Sequence, residues 1–189
     1  VTHAEPPAVA ARNRIVSQNC VMVPLDAREL AARASSSDFY LPYPDLGLVH
    51  FGPEHPGELA GLYPLWLASL SGPLDRVLGS WTLVHRPCLE AIGSLGTKAV
   101  PDAEGAVEIG YELIAGHRGR GLATEAVAAF CEALLTGRVD AGAPVRRIDA
   151  ETRADNLTSQ AVLRRCGFTH QGNRADPGQG ELLCWSLPG

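Results

Sequence analysis

Apolar and polar residues alternate most clearly from Ala106, where Val107, Ile109, Tyr111 and Leu113 interleave with Glu108, Gly110 and Glu112. A period of two predicts a strand there. A glycine-bearing turn, Gly116 to Gly121, follows, and the period then changes. Ala123, Ala126, Val127, Phe130 and Leu134 recur at helical spacing, with Glu125 and Glu132 on the more polar side, which predicts a helix to about Leu135. A strand, a glycine turn and a helix N-terminus in succession suit the binding of phosphates. The unpaired N–H groups of the first helical turn converge there and the helix dipole favours an anion.

The rest of the chain reads in the same terms. Cys20 to Leu25 predicts a short strand, which Pro24 places near a sheet edge. Asp26 is positioned to cap a helix through Ala34, with Glu29 as its capping-box partner. Ser35 to Gly52, with Pro42, Pro44 and Gly47, predicts a long irregular connection of the kind that covers a binding cleft. Pro56 to Leu70 predicts a helix with an apolar face of Leu59, Leu62, Tyr63, Trp66, Leu67 and Leu70, broken by Gly72 and Pro73. Strands are expected at Trp81–His85 and Glu90–Val100, with a hairpin turn at Pro101–Gly105 leading into the central strand. After a loop from Thr136 to Val145 come a strand over Arg147–Thr152 and a helix capped by Asn156, running to Cys166 and stopped by Gly167. Two last strands, Phe168–Gln171 and Glu181–Leu187, are joined by Gly172–Gly180. This order predicts an α/β or α+β layered fold with a mixed central sheet of about six or seven strands flanked by helices. Residues 1–17 carry no period and are expected to form a tail or surface extension, with a single domain over 18–189.

Composition narrows the possible functions. The 189 residues suffice for a hydrophobic core, and 46% hydrophobic against 20% charged residues excludes a disordered or fibrous chain. A formal net charge of −5, without a basic run or zinc-finger spacing, argues against nucleic-acid binding. No stretch is long and apolar enough for a membrane span, and no signal peptide is visible, so a cytoplasmic protein is expected. The five cysteines, Cys20, Cys88, Cys131, Cys166 and Cys184, are odd in number and form no CxxC pair, consistent with free thiols in a reducing compartment.

The glycine turn separates the phosphate ligands. Gly116 and Gly121 have the spacing of a mononucleotide P-loop, but Leu122 and Ala123 stand where its Lys and hydroxyl belong. Gly119 and Gly121 begin a dinucleotide fingerprint, but Thr124 replaces its third glycine. The pattern that remains, Arg118-x-x-Gly121-x-Ala123, resembles the pyrophosphate signature of the GNAT family of acyl-CoA N-acetyltransferases. Ala123-Thr124-Glu125-Ala126, the strand ending near Thr152, Asn156-x-x-Ser159 and Gly167-Phe168 follow in order. They resemble the branch that includes the ribosomal-protein alanine acetyltransferases.

That resemblance implies acetyl-CoA as cofactor. Leu113 and Ile114 would offer their backbone to the pantetheine arm, and Arg118, Gly119, Arg120, Gly121, Leu122 and Ala123 would wrap the pyrophosphate, with Asn156 and Ser159 beside the arm. The two arginines are either phosphate ligands or solvated cations, and Asn156 and Ser159 are either ligands or helix-capping groups. The implied chemistry is direct attack of a primary amine on the thioester, without a cysteine nucleophile or a metal. Glu108 is the candidate base, against a reading as a surface ion pair. The N–H of Ile114 or its neighbour is the candidate oxyanion donor. His117 reads as a surface residue. Leu163 stands where many members carry a tyrosine acid, which leaves thiolate protonation to water or another group. The acceptor is expected to be a protein N-terminus or a small amine, bound among Ser35–Gly52, Tyr63–Trp66 and Gly172–Gly180. Tyr40, Tyr43, Phe51, Tyr63 and Trp66 are either its aromatic walls or core. A monomer or homodimer is expected. A chain that keeps the fold to bind acyl-CoA without turnover is the alternative.

Overall fold

The computed structural model describes residues 14–70 and 76–189. Residues 1–13 of the expected tail, and the Gly72 and Pro73 breakers, lie outside the described residues.

Among the described residues, ten strands form a mixed sheet. They are β1 (Ile15–Val16), β2 (Cys20–Asp26), β3 (Phe39–Tyr43), β4 (Gly47–Phe51), β5 (Arg76–His85), β6 (Glu90–Thr97), β7 (Ala106–Leu113), β8 (Arg147–Arg153), β9 (Thr169–Asp176) and β10 (Gly180–Pro188). The main order is β1-β2-β5-β6-β7-β8-β10-β9, with β3 paired to β4 and β4 touching β6 through a parallel bridge at His50 and Glu90. The pairings along the main order are antiparallel except β7–β8, which is parallel.

Helix α1 (Ala27–Ser35) starts at Asp26, whose side chain accepts from the Arg28 and Glu29 N–H groups. Glu29 does not reach back to complete the predicted capping box; its carboxylate turns into the interior. The predicted helix over 56–70 is two pieces, a 3-10 turn (Gly57–Leu62) and α2 (Tyr63–Ser69). Helix α3 spans Leu122–Leu135 and α4 spans Leu157–Arg165. Val107 and Ile109 of β7 meet Val127, Phe130, Cys131 and Leu134 of α3 in the largest core cluster, as their two periodicities require.

Three expectations are corrected. Ser35–Gly52 is a hairpin rather than an irregular loop: Phe39 stacks on Phe51 at 4.8 Å and Tyr43 lies 6.4 Å from the same ring. Pro42 is tolerated because β3 pairs on one side only, with β4, and Pro44 lies in the turn that follows β3. Strand β9 runs well beyond Gln171. It is a sheet edge made almost wholly of exposed residues and carries no apolar alternation. Ile15–Val16 joins the sheet, so this part of the N-terminal stretch is not tail.

Candidate functional site

Strand β7 pairs with β8 only from Ala106 to Ile109. Beyond Ile109, β8 continues against β10, whereas Gly110 to Leu113 remain paired with β6. The two parallel strands therefore separate, and a gap opens at the C-terminal end of β7.

The ladder with β6 decides which backbone groups face that gap. Lys98 donates to the Glu108 carbonyl at 2.8 Å and Ile114 donates to the Ile92 carbonyl at 2.9 Å. Even-numbered residues of β7 thus point their N–H and C=O groups toward β6, and odd-numbered ones point away. Ile114 is corrected on this ground, because its N–H is spent inside the sheet. The neighbouring Leu113 faces the gap, where its carbonyl accepts from Arg118 Nε at 2.8 Å.

The chain then makes a short 3-10 turn over Ala115–His117 and enters α3 through Gly119 (φ 76°) and Gly121 (φ 78°). Left-handed backbone at both positions is what glycine permits at little cost. Beyond the adjoining residues, nothing lies within 4 Å of where either Cβ would stand, so conformation and clearance above the turn are what a side chain would disturb. Gly121 is the N-cap of α3 and offers no side-chain cap, leaving the first-turn N–H groups directed at the gap. Arg118 and Arg120 are exposed at this turn.

A cavity of about 760 Å³ occupies the gap, lined by Leu113, Arg118, Gly119, Gly121, Leu122, Ala123, Asn156 and Ser159 among others. Eight of the ten residues predicted for the coenzyme are thus brought together. Ile114 and Arg120 do not line it. Asn156 also caps α4, accepting from the Ser159 N–H at 3.0 Å. The cleft fits the pyrophosphate and arm of a coenzyme A thioester: a bare helix N-terminus for the anion, two glycines for close approach, and a strand edge that β8 leaves uncovered, on which Arg118 holds the Leu113 carbonyl.

A second cavity, about 450 Å³, lies on the other side of β7. Ser80 and Thr82 of β5, Ser94 and Gly96 of β6, Gly110 and Glu112 of β7, and Leu59, Leu62, Tyr63 and Trp66 from the 3-10 turn and α2 line it. Glu58, Tyr111 and Glu112 border both cavities. The Glu112 carboxylate is oriented by Ser94 Oγ on one oxygen and by the Glu58 N–H on the other, each at 3.2 Å. Gly57 sits so close that a Cβ there would lie 2.6 Å from Glu112 Oε2.

Glu108 lies elsewhere. It is paired with Lys98 and borders a third cavity with Arg147, Asp149 and Glu151. It lies four residue steps from Glu112, about 13 Å along β7. The sequence reading missed Glu112. Its signal was its place: it is the acidic residue of the strand next to Leu113.

In the sequence Tyr111 reads as an apolar strand position. Its hydroxyl meets Ser159 Oγ at 2.7 Å on the gap side, and burial pushes its pKa up to about 12, against the opposing hydrogen bond from Ser159. It stays protonated at neutral pH and is the tyrosine bordering the 760 Å³ cavity. Leu163, where a family tyrosine was expected, is buried in the core.

The acceptor-side aromatics divide. Tyr63 and Trp66 line the 450 Å³ cavity, whereas Tyr43 and Phe51 are core of the β3–β4 hairpin and Tyr40 is exposed against His50. The cavity wall is anchored by fully buried Glu29, which accepts from Tyr63 Oη at 2.7 Å and Thr82 Oγ1 at 2.6 Å and contacts His55 Nε2 at 3.1 Å. Burial first, then the Glu29 charge and hydrogen bond, hold the Tyr63 phenol far above its usual range.

All five cysteines are free. Burial pushes Cys20 and Cys131 up to about 12 and Cys166 up to about 11, so none of these three is a poised thiolate. Among the described residues no helix is long and apolar enough to cross a membrane.

Comparison with known proteins follows the same outline. A family model described as an acetyltransferase (GNAT) domain matches residues 25–169. The uncharacterized N-acetyltransferase YjdG of Bacillus subtilis (strain 168) is 34% identical over 89 residues. That match covers 47% of this chain and 50% of the relative, so it spans only half of that protein's length. A GNAT-family acetyltransferase of Bacillus anthracis superposes with a TM-score of 0.63 at 14% identity, covering 93% of this chain and 98% of that one. A ribosomal L7/L12 alpha-N-protein acetyltransferase, solved in complex with coenzyme A, superposes with a TM-score of 0.59 at 18% identity, covering 93% and 98%. At these identities the structures speak for the fold.

Proposed function

We propose that this chain, which belongs to the acetyltransferase (GNAT) family, transfers an acetyl group from acetyl-CoA to a primary amine by direct attack in a ternary complex. The observation that carries this reading is Glu112, oriented by two hydrogen bonds at the junction of the β7–β8 gap and the cavity lined by Tyr63 and Trp66. One cavity suits the coenzyme and the other the acceptor, and a carboxylate stands where they meet.

Acetyl-CoA supplies the activated acetyl group as a thioester. The N-terminus of α3, with Gly119, Gly121 and Ala123, holds the pyrophosphate. Leu113 presents the gap-facing edge of β7 to the amide-bearing arm, and its N–H is the donor for charge developing on the carbonyl oxygen. Glu112 takes the proton of the attacking amine, directly or through one water. Tyr111, shared with Ser159, is the nearby hydroxyl that returns a proton to the departing sulfur. A cysteine nucleophile has no part in it.

The acceptor is a primary amine carried on an apolar body. Leu25, Leu59, Leu62, Trp66 and Leu95 supply apolar wall, and Glu58 and Glu112 place negative charge at the junction. Both a protein N-terminus and a small amine meet that description. The ribosomal-protein N-terminal branch rests on the residue pattern from Ala123 to Phe168 and on likeness in fold to the L7/L12 alpha-N-protein acetyltransferase. A reducing, cytoplasmic setting suits its free thiols.

A panel of small amines and N-terminal peptides, assayed by released CoA thiol with mass spectrometry of the acceptor, tests this. The expected result is acceptor-dependent thiol release with one acetyl group gained by the acceptor. Coenzyme binding with no acceptor-dependent release across the panel would favour the non-catalytic acyl-CoA-binding module instead.

A further inference from the structure

Away from both cavities, two loops bring three metal-type donors together. His85 ends β5, Cys88 lies in the turn before β6, and His117 lies in the 3-10 turn that precedes Arg118. One ligand atom from each falls within 4.8 Å of the others. His85 Nδ1 is 3.0 Å from Cys88 Sγ, and the two imidazoles pack edge to face with centroids 5.4 Å apart. Glu90 closes the group: its Oε2 lies 3.8 Å from Cys88 Sγ and 3.6 Å from His117 Nε2.

Hydrogen bonding accounts for His85 and Cys88 but not for His117. Its Nδ1 is buried without a partner, and its Nε2 stands too far from Glu90 for a hydrogen bond. A side chain only 11% exposed thus leaves its buried Nδ1 unsatisfied. A central cation would take one nitrogen of this ring as a ligand. Tetrahedral zinc, with bonds of about 2.0–2.3 Å to nitrogen and sulfur, needs donors about 3.3–3.7 Å apart. From a spread within 4.8 Å the wider pairs close by about 1 Å at most, and the 3.0 Å His85–Cys88 pair opens by about 0.5 Å. Arg120 is the nearby opposing charge and Glu90 offsets it. Cys88 is exposed, so an ion has a route in.

We infer that His85, Cys88 and His117, with Glu90 as the fourth group, form a Zn²⁺ site that ties the β5–β6 turn to the loop ahead of α3. On binding, the Cys88 thiol releases its proton to solvent as the zinc–sulfur bond forms.

Cobalt(II) is the probe. Tag-free protein is stripped with chelator and titrated with Co²⁺. A tetrahedral thiolate-containing site gives strong visible d–d bands and a near-ultraviolet sulfur-to-cobalt charge-transfer band, saturating at one ion per chain and lost when Zn²⁺ is added. Cys88→Ser, at an exposed position, loses the charge-transfer band, and His117→Gln loses the tetrahedral d–d intensity. Both variants are checked for an unchanged metal-free unfolding temperature. A weak octahedral spectrum in the wild type overturns the site. So does a charge-transfer band that survives Cys88→Ser, which would place the metal on another thiol.

Discussion

Replacing Glu112 with Gln separates chemistry from architecture at the junction of the two cavities. The carboxylate makes two contacts, with Ser94 Oγ and the Glu58 N–H. A glutamine can keep both: its carbonyl oxygen accepts from the Glu58 N–H, and its amide donates to the Ser94 oxygen. The fold should therefore lose about 1 kcal/mol or less. What glutamine cannot do is accept the amine proton. A positioned base contributes about 10²–10⁴-fold, which corresponds to about 3–5 kcal/mol of transition-state stabilisation. With the best acceptor from the panel, kcat should fall by that factor, while coenzyme affinity and urea stability stay near wild type. Glu108→Gln is the internal control. Its ion pair with Lys98 is solvent-exposed and worth about 0–1 kcal/mol, so rate and stability should both be little changed. A folded Glu112→Gln protein that turns over at the wild-type rate across the pH range would refute the assignment, the more so if Glu108→Gln were the slow variant.

Other perturbations probe the supporting structure. Gly121→Glu places a side chain on left-handed backbone and a negative charge at the N-terminus of α3; calorimetric titration with CoA should show binding abolished or much weakened, and equal affinities would mean that the phosphates lie elsewhere. Glu29→Ala strips the buried partner from Tyr63, Thr82 and His55, and urea denaturation should show a loss of about 3–5 kcal/mol. Glu125 is pulled in opposite directions: burial raises its pKa, but hydrogen bonds from Ser17 and Asn19 outweigh it and hold the group below its ordinary value of 4.5. Its contribution to stability is therefore present above that value and lost as pH falls through the lower folded value. Urea midpoints of wild type and Glu125→Gln should differ at neutral pH and converge on acidification.

The central strand, glycine turn and helix were legible because each has a strong local signature: alternation over Val107–Leu113, glycines at 119 and 121, and a three-to-four-residue period in α3. The β3–β4 hairpin was hidden by Pro42, Pro44 and Gly47, which mimic a loop when the single partner strand is not known. Strand β9 was shortened for the opposite reason: an edge whose side chains face solvent has no apolar pattern to read. Among site residues, the choice between Glu108 and Glu112 depends on where β8 parts from β7, a tertiary fact with no local signal. Alternation puts both on one face and only the pairing register tells them apart. The same register moves the gap-facing donor from Ile114 to Leu113. Tyr111 read as core because its apolar position hides a hydroxyl that meets Ser159, 48 residues further on.

On the proposed function, the parting of β7 and β8 is the coenzyme cleft. A crystal structure with bound CoA measures it directly. The pyrophosphate should lie within hydrogen-bonding distance of the N–H groups at the start of α3, the pantetheine arm along Leu113, and the sulfur beside Glu112 and Tyr111. Coenzyme density on another surface, with the gap occupied only by solvent, would contradict the account.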